Sequence, residues 1–277
     1  MRGIRSGREE LLKAESISAA ICRAAVAPVL AQPTTRAEQV TQLVMGETGS
    51  IEERSGDWRR LSLDIDGYSG WVNAGYLQEA DTEVAVSWRV RASGWSEGAS
   101  LLLDGRSLPV PLRARLPVEG TKVVLPDGQR ARVAGGKVRT LSEVRAEAGT
   151  SPPERWALEH FFGSPYLWGG VTPWGVDCSG LVQTTFGARG INLPRDSAQQ
   201  AGCGEQVTPE AIQPGDLLFF RGETSNSITH VAFAGEDETL VHSTIACGGV
   251  VMESWKPGSR AEYLRSRLVV ARRLERL

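Results

Sequence analysis

Apolar and polar positions change rhythm twice along this chain. Between Pro28 and Ala80 the apolar residues come in short runs cut by glycine: Gln42-Leu43-Val44-Met45-Gly46-Glu47, Asp57-Trp58-Arg59-Arg60-Leu61-Ser62-Leu63 and Gly70-Trp71-Val72. Strands this short, with turns this frequent, predict a small barrel. A further all-β stretch runs from about Val84 to Val144. Its strand and turn candidates are Ser87-Trp88-Arg89-Val90-Arg91, Leu101-Leu102-Leu103-Asp104-Gly105 and Lys122-Val123-Val124-Leu125-Pro126-Asp127-Gly128. Ahead of both, Leu11, Leu12, Glu15 and Ala19 stand at helical spacing, so residues 1–27 read as a helical segment. Glu147 to Pro153 reads as a linker, because Ala148-Gly149-Thr150-Ser151-Pro152-Pro153 favours extended chain.

From Glu154 onward the period lengthens. Trp156, Ala157, His160 and Phe161 share a helical face, and a second helix is predicted from Cys178 to about Ala188. Asp177 is its N-cap, Leu181, Val182 and Phe186 form its inner face, and Gly190 ends it. Strands follow at Asp216 to Phe220, Ile228 to Ala234, Leu240 to Thr244 and Leu268 to Leu274. Helices followed by antiparallel strands make an α+β arrangement. The predicted division is a helical segment at 1–27, barrels at 28–80 and 81–148, and an α+β domain at 149–277.

With 277 residues the chain has room for more than one core, and its net charge of −2 gives no footing for nucleic-acid binding by counterion release. The apolar stretch Ile17 to Ala31 is interrupted by Arg23 and Pro28, and Glu9, Glu10 and Glu15 fall where an export signal carries positive charge. No run approaches the eighteen or so apolar residues that span a bilayer. No membrane association and a cytoplasmic location are therefore expected.

Four cysteines, Cys22, Cys178, Cys203 and Cys247, show no C-x-x-C pair and no metal-ligand spacing, so no metal site is expected. A free cysteine is ordinarily a small buried residue. Cys178 differs, since it opens a helix behind the run Tyr166-Leu167-Trp168-Gly169-Gly170. A helix N-terminus aims unpaired N–H groups and the positive dipole end at the sulfur, which favours thiolate. His230 and His242 lie in strand-like surroundings either side of Gly235-Glu236-Asp237. A three-residue loop there sets the two rings directly opposite, with His230 toward the sulfur and His242 behind it. That is the layout of a thiol nucleophile, its base and an orienter. A metal site made of the same three residues is the competing use. His160, the third histidine, reads as a packed helix residue, whereas Trp168 is placed to wall a cleft.

The stretch from Pro28 to Ala80, with Gly56-Asp57-Trp58, Gly70-Trp71-Val72 and then Tyr76-Leu77, resembles the bacterial SH3-like domain, and the stretch from Val84 to Val144 resembles another, more divergent SH3-like barrel. Tyr166-Leu167-Trp168-Gly169-Gly170, Asp177-Cys178-Ser179-Gly180-Leu181-Val182, Gly215-Asp216-Leu217-Leu218-Phe219-Phe220 and Thr229-His230-Val231 together resemble the NlpC-type cysteine peptidases of bacteria. The resemblance implies a papain-like α+β catalytic domain behind two small SH3-like barrels. In it Cys178 is nucleophile, His230 base, His242 the third polar residue, and Tyr166 lies near the oxyanion site. A finer resemblance is to γ-D-glutamyl-L-diamino-acid endopeptidases that degrade released murein peptides. It implies that Asp196, Ser197 and Ser179 hold the free amino terminus of an L-Ala-γ-D-Glu-diamino-acid peptide. It also implies that Glu38 and Tyr76 contact that peptide from the first barrel. No metal or organic cofactor is implied. An exported hydrolase of intact wall and a non-catalytic wall-peptide binding protein are the alternatives.

Overall fold

The structure, a computed structural model, describes residues 17–274. Contacts gather the chain into two compact units, one ending at Thr140 and the other beginning at Leu141. Among the described residues no helix is long and apolar enough to cross a membrane.

The first unit opens with a seven-stranded antiparallel sheet. In chain order its strands are β1 (Ile17–Cys22), β2 (Val26–Leu30), β3 (Gln39–Val44), β4 (Thr48–Ser55), β5 (Trp58–Leu63), β6 (Ser69–Asn73) and β7 (Leu77–Asp81), and across the sheet they run β3-β2-β6-β5-β4-β1-β7. Ala20, Ala27, Val29, Leu43, Leu61, Leu63, Val72 and Leu77 pack its core around Cys22. The Cys22 thiol donates to the carbonyls of Ala24 and Leu43, and burial pushes its pKa up, so it is a packing residue.

β1 corrects the helical reading of residues 1–27 at its described end. Ala19 to Cys22 are buried and pair with β4 on one side and β7 on the other, and this long-range pairing overrides the local spacing. Leu11, Leu12 and Glu15 lie outside the described residues. A second correction follows β7, where Ser87 to Arg91 end a helix, α1 (Thr82–Arg91), instead of forming a strand. Its valines stay exposed while Ala85 and Trp88, three residues apart, are buried. Trp88 Nε1 donates to the Gly46 carbonyl at 2.8 Å, so one indole anchors a helix that β-branched residues would not favour alone.

The rest of the unit is β8 (Gly94–Ser96), β9 (Ala99–Leu103), β10 (Arg106–Val110), β11 (Arg115–Leu116), β12 (Val118–Glu119), β13 (Lys122–Val124), β14 (Arg130–Gly135) and β15 (Val138–Thr140). They form a five-stranded sheet, β10-β9-β14-β13-β12, and a three-stranded one, β11-β8-β15. A buried ion pair joins this part to the first sheet: Arg113 Nε meets Glu47 Oε1 at 2.6 Å, and Glu47 Oε2 accepts the Val44 N–H at 2.9 Å.

The second unit starts with α2 (Leu141–Thr150), which overlaps the expected linker. Val144 and Ala148, four residues apart, are buried, so helical packing claims the segment up to Thr150 and leaves Ser151 and Pro152 as the connection. α3 (Pro153–Phe161) follows, with proline at its first position. Next come a two-stranded hairpin, β16 (Val171–Thr172) and β17 (Gly175–Val176), the helix α4 (Cys178–Ala188) and the single turn α5 (Ser197–Gln200). The six-stranded sheet consists of β18 (Glu205–Val207), β19 (Leu217–Arg221), β20 (Ile228–Ala234), β21 (Thr239–Thr244), β22 (Gly249–Ser254) and β23 (Leu268–Arg273), ordered β18-β23-β19-β20-β21-β22.

Leu217 to Phe220 are all buried because both faces of this sheet are covered. Leu218, Phe220, Ala232, Ala234 and Leu240 pack with Trp255 and Leu264, while Phe233 meets Phe186 of α4 at 6.0 Å between ring centroids. α4 is buried nearly all round, so it is a core helix whose first turn is fixed by everything that encloses it.

Replacing Arg113 by alanine strands the Glu47 carboxylate in the interior. The expected cost is about 3 to 5 kcal/mol, read as a lower midpoint in urea unfolding of the first unit. An unchanged midpoint would show that the pair contributes nothing.

Candidate active site

Asp177 is the N-cap of α4, with extended backbone and its Oδ1 accepting the Gly180 N–H at 2.7 Å. Oδ2 accepts the Gly169 N–H at 2.8 Å and an Arg195 N–H at 2.6 Å. One carboxylate thus ties the helix start to the loop before it and to the segment after it. Gly169, at φ 75°, takes the left-handed turn that brings this loop round. Gly180 permits close approach, since a Cβ there would sit 2.0 Å from the Gly170 carbonyl oxygen. Gln200 completes the frame, its Nε2 donating to the carbonyls of Ser179 at 3.1 Å and Pro194 at 2.9 Å.

Cys178 therefore sits in the first turn of α4, 8% exposed, where the N–H groups of Ser179 and Val231 favour its ionised form. Val231 directly follows His230, so the strand that carries the base lies against the nucleophile. The stronger influences act the other way: burial first, then the Asp177 charge, push the thiol up to about 12. Burial, and next the neighbouring His242, lower His230 to about 3. Both shifts favour a neutral thiol beside a neutral imidazole. These influences run against the thiolate that the helix terminus alone favours, as burial and an adjacent carboxylate oppose one turn of dipole.

The two histidines are neighbours, at a different register from the expected one. Phe233 pairs with Val241 and Ala234 with Leu240, which makes the loop two residues longer than the three-residue turn, with Asp237 and Glu238 in left-handed conformation. A shift of two keeps both side chains on one face. His230 Nε2 and His242 Nδ1 are 2.7 Å apart. The residue missed from sequence is Glu253 on β22, whose Oε1 lies 2.7 Å from His242 Nε2. Arg260 binds both Glu253 oxygens, at 2.9 Å for Nε to Oε2. Burial pushes the Glu253 carboxyl up, but the hydrogen bonds from His242 and Arg260 and the Arg260 charge outweigh that and hold it below its usual range. Val250-Val251 after Gly248-Gly249 was the available sign of a strand here.

Tyr166 is half-buried, and burial first, then Cys178 and Asp177, push its phenol up to about 12, so it remains a hydrogen-bond donor near the sulfur. Trp168, on the same loop, is 57% exposed. Asp196 is half-buried, makes no side-chain bond that caps the turn following it, and its charge lies beside Arg195. Ser197 follows it at the start of α5. The Ser179 hydroxyl accepts from Arg195 at 2.7 Å and donates to Asp177 at 3.3 Å, so it is tied into the frame around the helix start. Glu38 and Tyr76 lie on the first unit, both exposed, Glu38 ahead of β3 and Tyr76 in the turn between β6 and β7. His160 stacks on Trp156 at 3.9 Å within α3. Among the described residues no group of three or more His, Cys, Asp and Glu is placed to hold a metal ion. A cavity of about 670 Å³ in this unit is lined by Arg145, Phe186, Arg189 and Arg273 among others, and by none of the candidate site residues.

Residues 163–273 match the NlpC/P60 family, and residues 29–77 match the bacterial dipeptidyl-peptidase Sh3 domain. A γ-D-glutamyl-L-lysine dipeptidyl-peptidase of Bacillus cereus is 28% identical over 251 residues, covering 82% of this chain and 74% of that one. One with the same name from Bacillus subtilis is 29% identical, covering 73% and 71%. The crystal structure of an NlpC/P60 family protein from Bacillus cereus superposes with a TM-score of 0.72 at 24% identity, over 92% of this chain and 99% of that chain, and so shares the fold.

Two measurements test this geometry. Arg195→Met leaves the Asp177 charge buried without its partner and is expected to cost about 3 to 5 kcal/mol in urea unfolding, with loss of turnover. Without substrate, alkylation of Cys178 by iodoacetamide, followed by mass spectrometry, should be slow at neutral pH and rise about tenfold per pH unit. Fast alkylation that is flat with pH from the acid side would reveal a preformed thiolate–imidazolium pair instead.

Proposed function

From a chain that is a cysteine peptidase, built of an NlpC/P60 domain and an SH3 domain of the bacterial dipeptidyl-peptidase type, we propose hydrolysis of the bond between γ-D-glutamate and an L-diamino acid. The substrates are murein peptides with a free N-terminal L-alanine, released from the wall and recycled in the cytoplasm. The observation that carries this reading is the Asp196 carboxylate. It stands half-buried on a segment bound to the nucleophile helix through Gln200 and Arg195, and it is not consumed in capping α5. A negative charge there, beside the buried Arg195, suits an ammonium, and charge-assisted bonds of this kind contribute roughly 1.5 to 3 kcal/mol. The two Bacillus relatives named for γ-D-glutamyl-L-lysine substrates support the same assignment.

In this mechanism the Cys178 thiol passes its proton to His230 as the sulfur bonds to the γ-carbonyl carbon of D-glutamate. The resulting oxyanion receives N–H groups at the start of α4 and the Tyr166 hydroxyl. The C–N bond then breaks as His230 returns the proton to the departing amine, leaving a γ-glutamyl thioester on Cys178. Water, deprotonated by His230, attacks that thioester; the C–S bond breaks, the Cys178 sulfur takes the proton back from His230, and L-Ala-D-Glu leaves with a free γ-carboxylate.

Tri- and tetrapeptides should therefore yield L-Ala-D-Glu by mass spectrometry, and Cys178→Ala should abolish the yield. N-acetylation of the alanine and Asp196→Asn should each raise KM by about 10- to 100-fold while kcat changes little. Equal turnover of acetylated and free peptides would sink the ammonium anchor, and dipeptide release by Cys178→Ala would sink the nucleophile.

A further inference from the structure

We propose that Glu253 is a positioning residue for the thiol chemistry: its carboxylate sets the direction of every proton in the His242–His230 chain and leaves His230 Nδ1 as the one basic nitrogen. The inference rests on Cys178 and His230 acting as nucleophile and base. It starts from the donor inventory of three groups in a row. An ionised carboxylate only accepts, so the 2.7 Å contact between Glu253 Oε1 and His242 Nε2 requires the proton on that nitrogen. A neutral His242 then has its lone pair on Nδ1, and the 2.7 Å contact to His230 Nε2 requires His230 to be the donor. His230, neutral in its turn, keeps its lone pair on Nδ1. No other nitrogen of the ring remains to take a thiol proton.

Without an acceptor-only group at the far end, the same chain has a second arrangement of equal bond count. His242 would hold its proton on Nδ1 and donate to His230 Nε2, and His230 would then carry its proton on Nδ1, where it cannot act as base. Glu253 excludes that arrangement because a proton on His242 Nδ1 would set the lone pair of Nε2 against a carboxylate oxygen. The carboxylate is held in its charged form by Arg260, which reaches both oxygens. His242 on β21 and Arg260 on the turn-rich segment after β22 are the titratable or charged groups that bond it. Register places the residues for this: His242 faces Val251 and Leu240 faces Glu253, so Glu253 lies one diagonal step from His242 on the same face of the sheet.

Glu253 also acts when the proton arrives. Moving a proton from Cys178 to His230 separates charge, and the imidazolium that forms needs a counter-charge. A carboxylate one ring away supplies it without blocking the base.

The test compares the full chain with Glu253→Gln, which keeps size and loses charge, and with Arg260→Ala, which keeps the carboxylate. Glu253→Gln is expected to lower kcat by about 10- to 100-fold, the loss usual when the outer partner of a functional imidazole is removed, with KM within threefold. The rate of iodoacetamide alkylation at Cys178 should fall with it at pH 7, and Arg260→Ala should show a smaller loss of both. Folding is followed by urea midpoints, since a purely structural role predicts a changed midpoint with unchanged alkylation of the folded protein. Wild-type kcat and alkylation in a folded Glu253→Gln overturn the proposal. If Cys178→Ala, run in parallel, still turns over, the cysteine assignment itself has failed; if it is inactive while Glu253→Gln is normal, only the role of Glu253 is lost.

Discussion

The buried pair of Asp177 and Arg195 is the constraint on which the site depends. Asp177 caps α4, holds the Gly169 amide and engages Arg195, and Arg195 in turn holds Ser179. Two charges removed from water contribute little net stability, because desolvation consumes most of their attraction. What they contribute is position. The acceptor-only carboxylate and the donor-only guanidinium, each with several partners, admit one mutual arrangement, and the sulfur sits in the turn between them. Burial and, after it, the same carboxylate raise the Cys178 thiol, so the group that places the nucleophile also works against its ionisation.

Surroundings that favour the neutral thiol have a chemical consequence. A standing thiolate is open to oxidation and alkylation, whereas a thiol that ionises only as it bonds to a carbonyl is protected between turnovers. The cost is that charge must separate during attack, where water is scarce. Fixed dipoles at the helix start and the Glu253 carboxylate, held by Arg260 and His242, are in place for that moment.

Much of the second unit was legible because its signals are local. Asp177 before Cys178 and Gly190 after Ala188 mark the bounds of α4 through capping chemistry that needs no tertiary knowledge. The histidine hairpin was legible as a face but not as a register, because loop length depends on left-handed residues at Asp237 and Glu238 that composition does not announce. Period two protected the conclusion: a slip of two residues moves His242 along the sheet without turning it over. Trp88 and Ile17 to Cys22 failed for the opposite reason. Their states are set by partners far along the chain, the Gly46 carbonyl for the one and β4 and β7 for the other. The bond from Arg195 to Ser179 was out of reach for the same reason, since the two residues stand sixteen positions apart.

Glu253 was out of reach for a deeper reason. It stands far past Cys178 in sequence, on a strand that carries no motif, and an isolated glutamate among apolar neighbours reads as an edge residue facing solvent. Its meaning comes from the acceptor-only chemistry of a carboxylate applied at the end of a chain of two rings, each able to hold its proton on either nitrogen. Such a chain is symmetric until something at one end breaks the tie. The thiol cannot do so, since it both donates and accepts. The choice must come from the other end, where a carboxylate locked by an arginine offers one answer, and a motif read around the nucleophile and the two histidines stops one residue short of it.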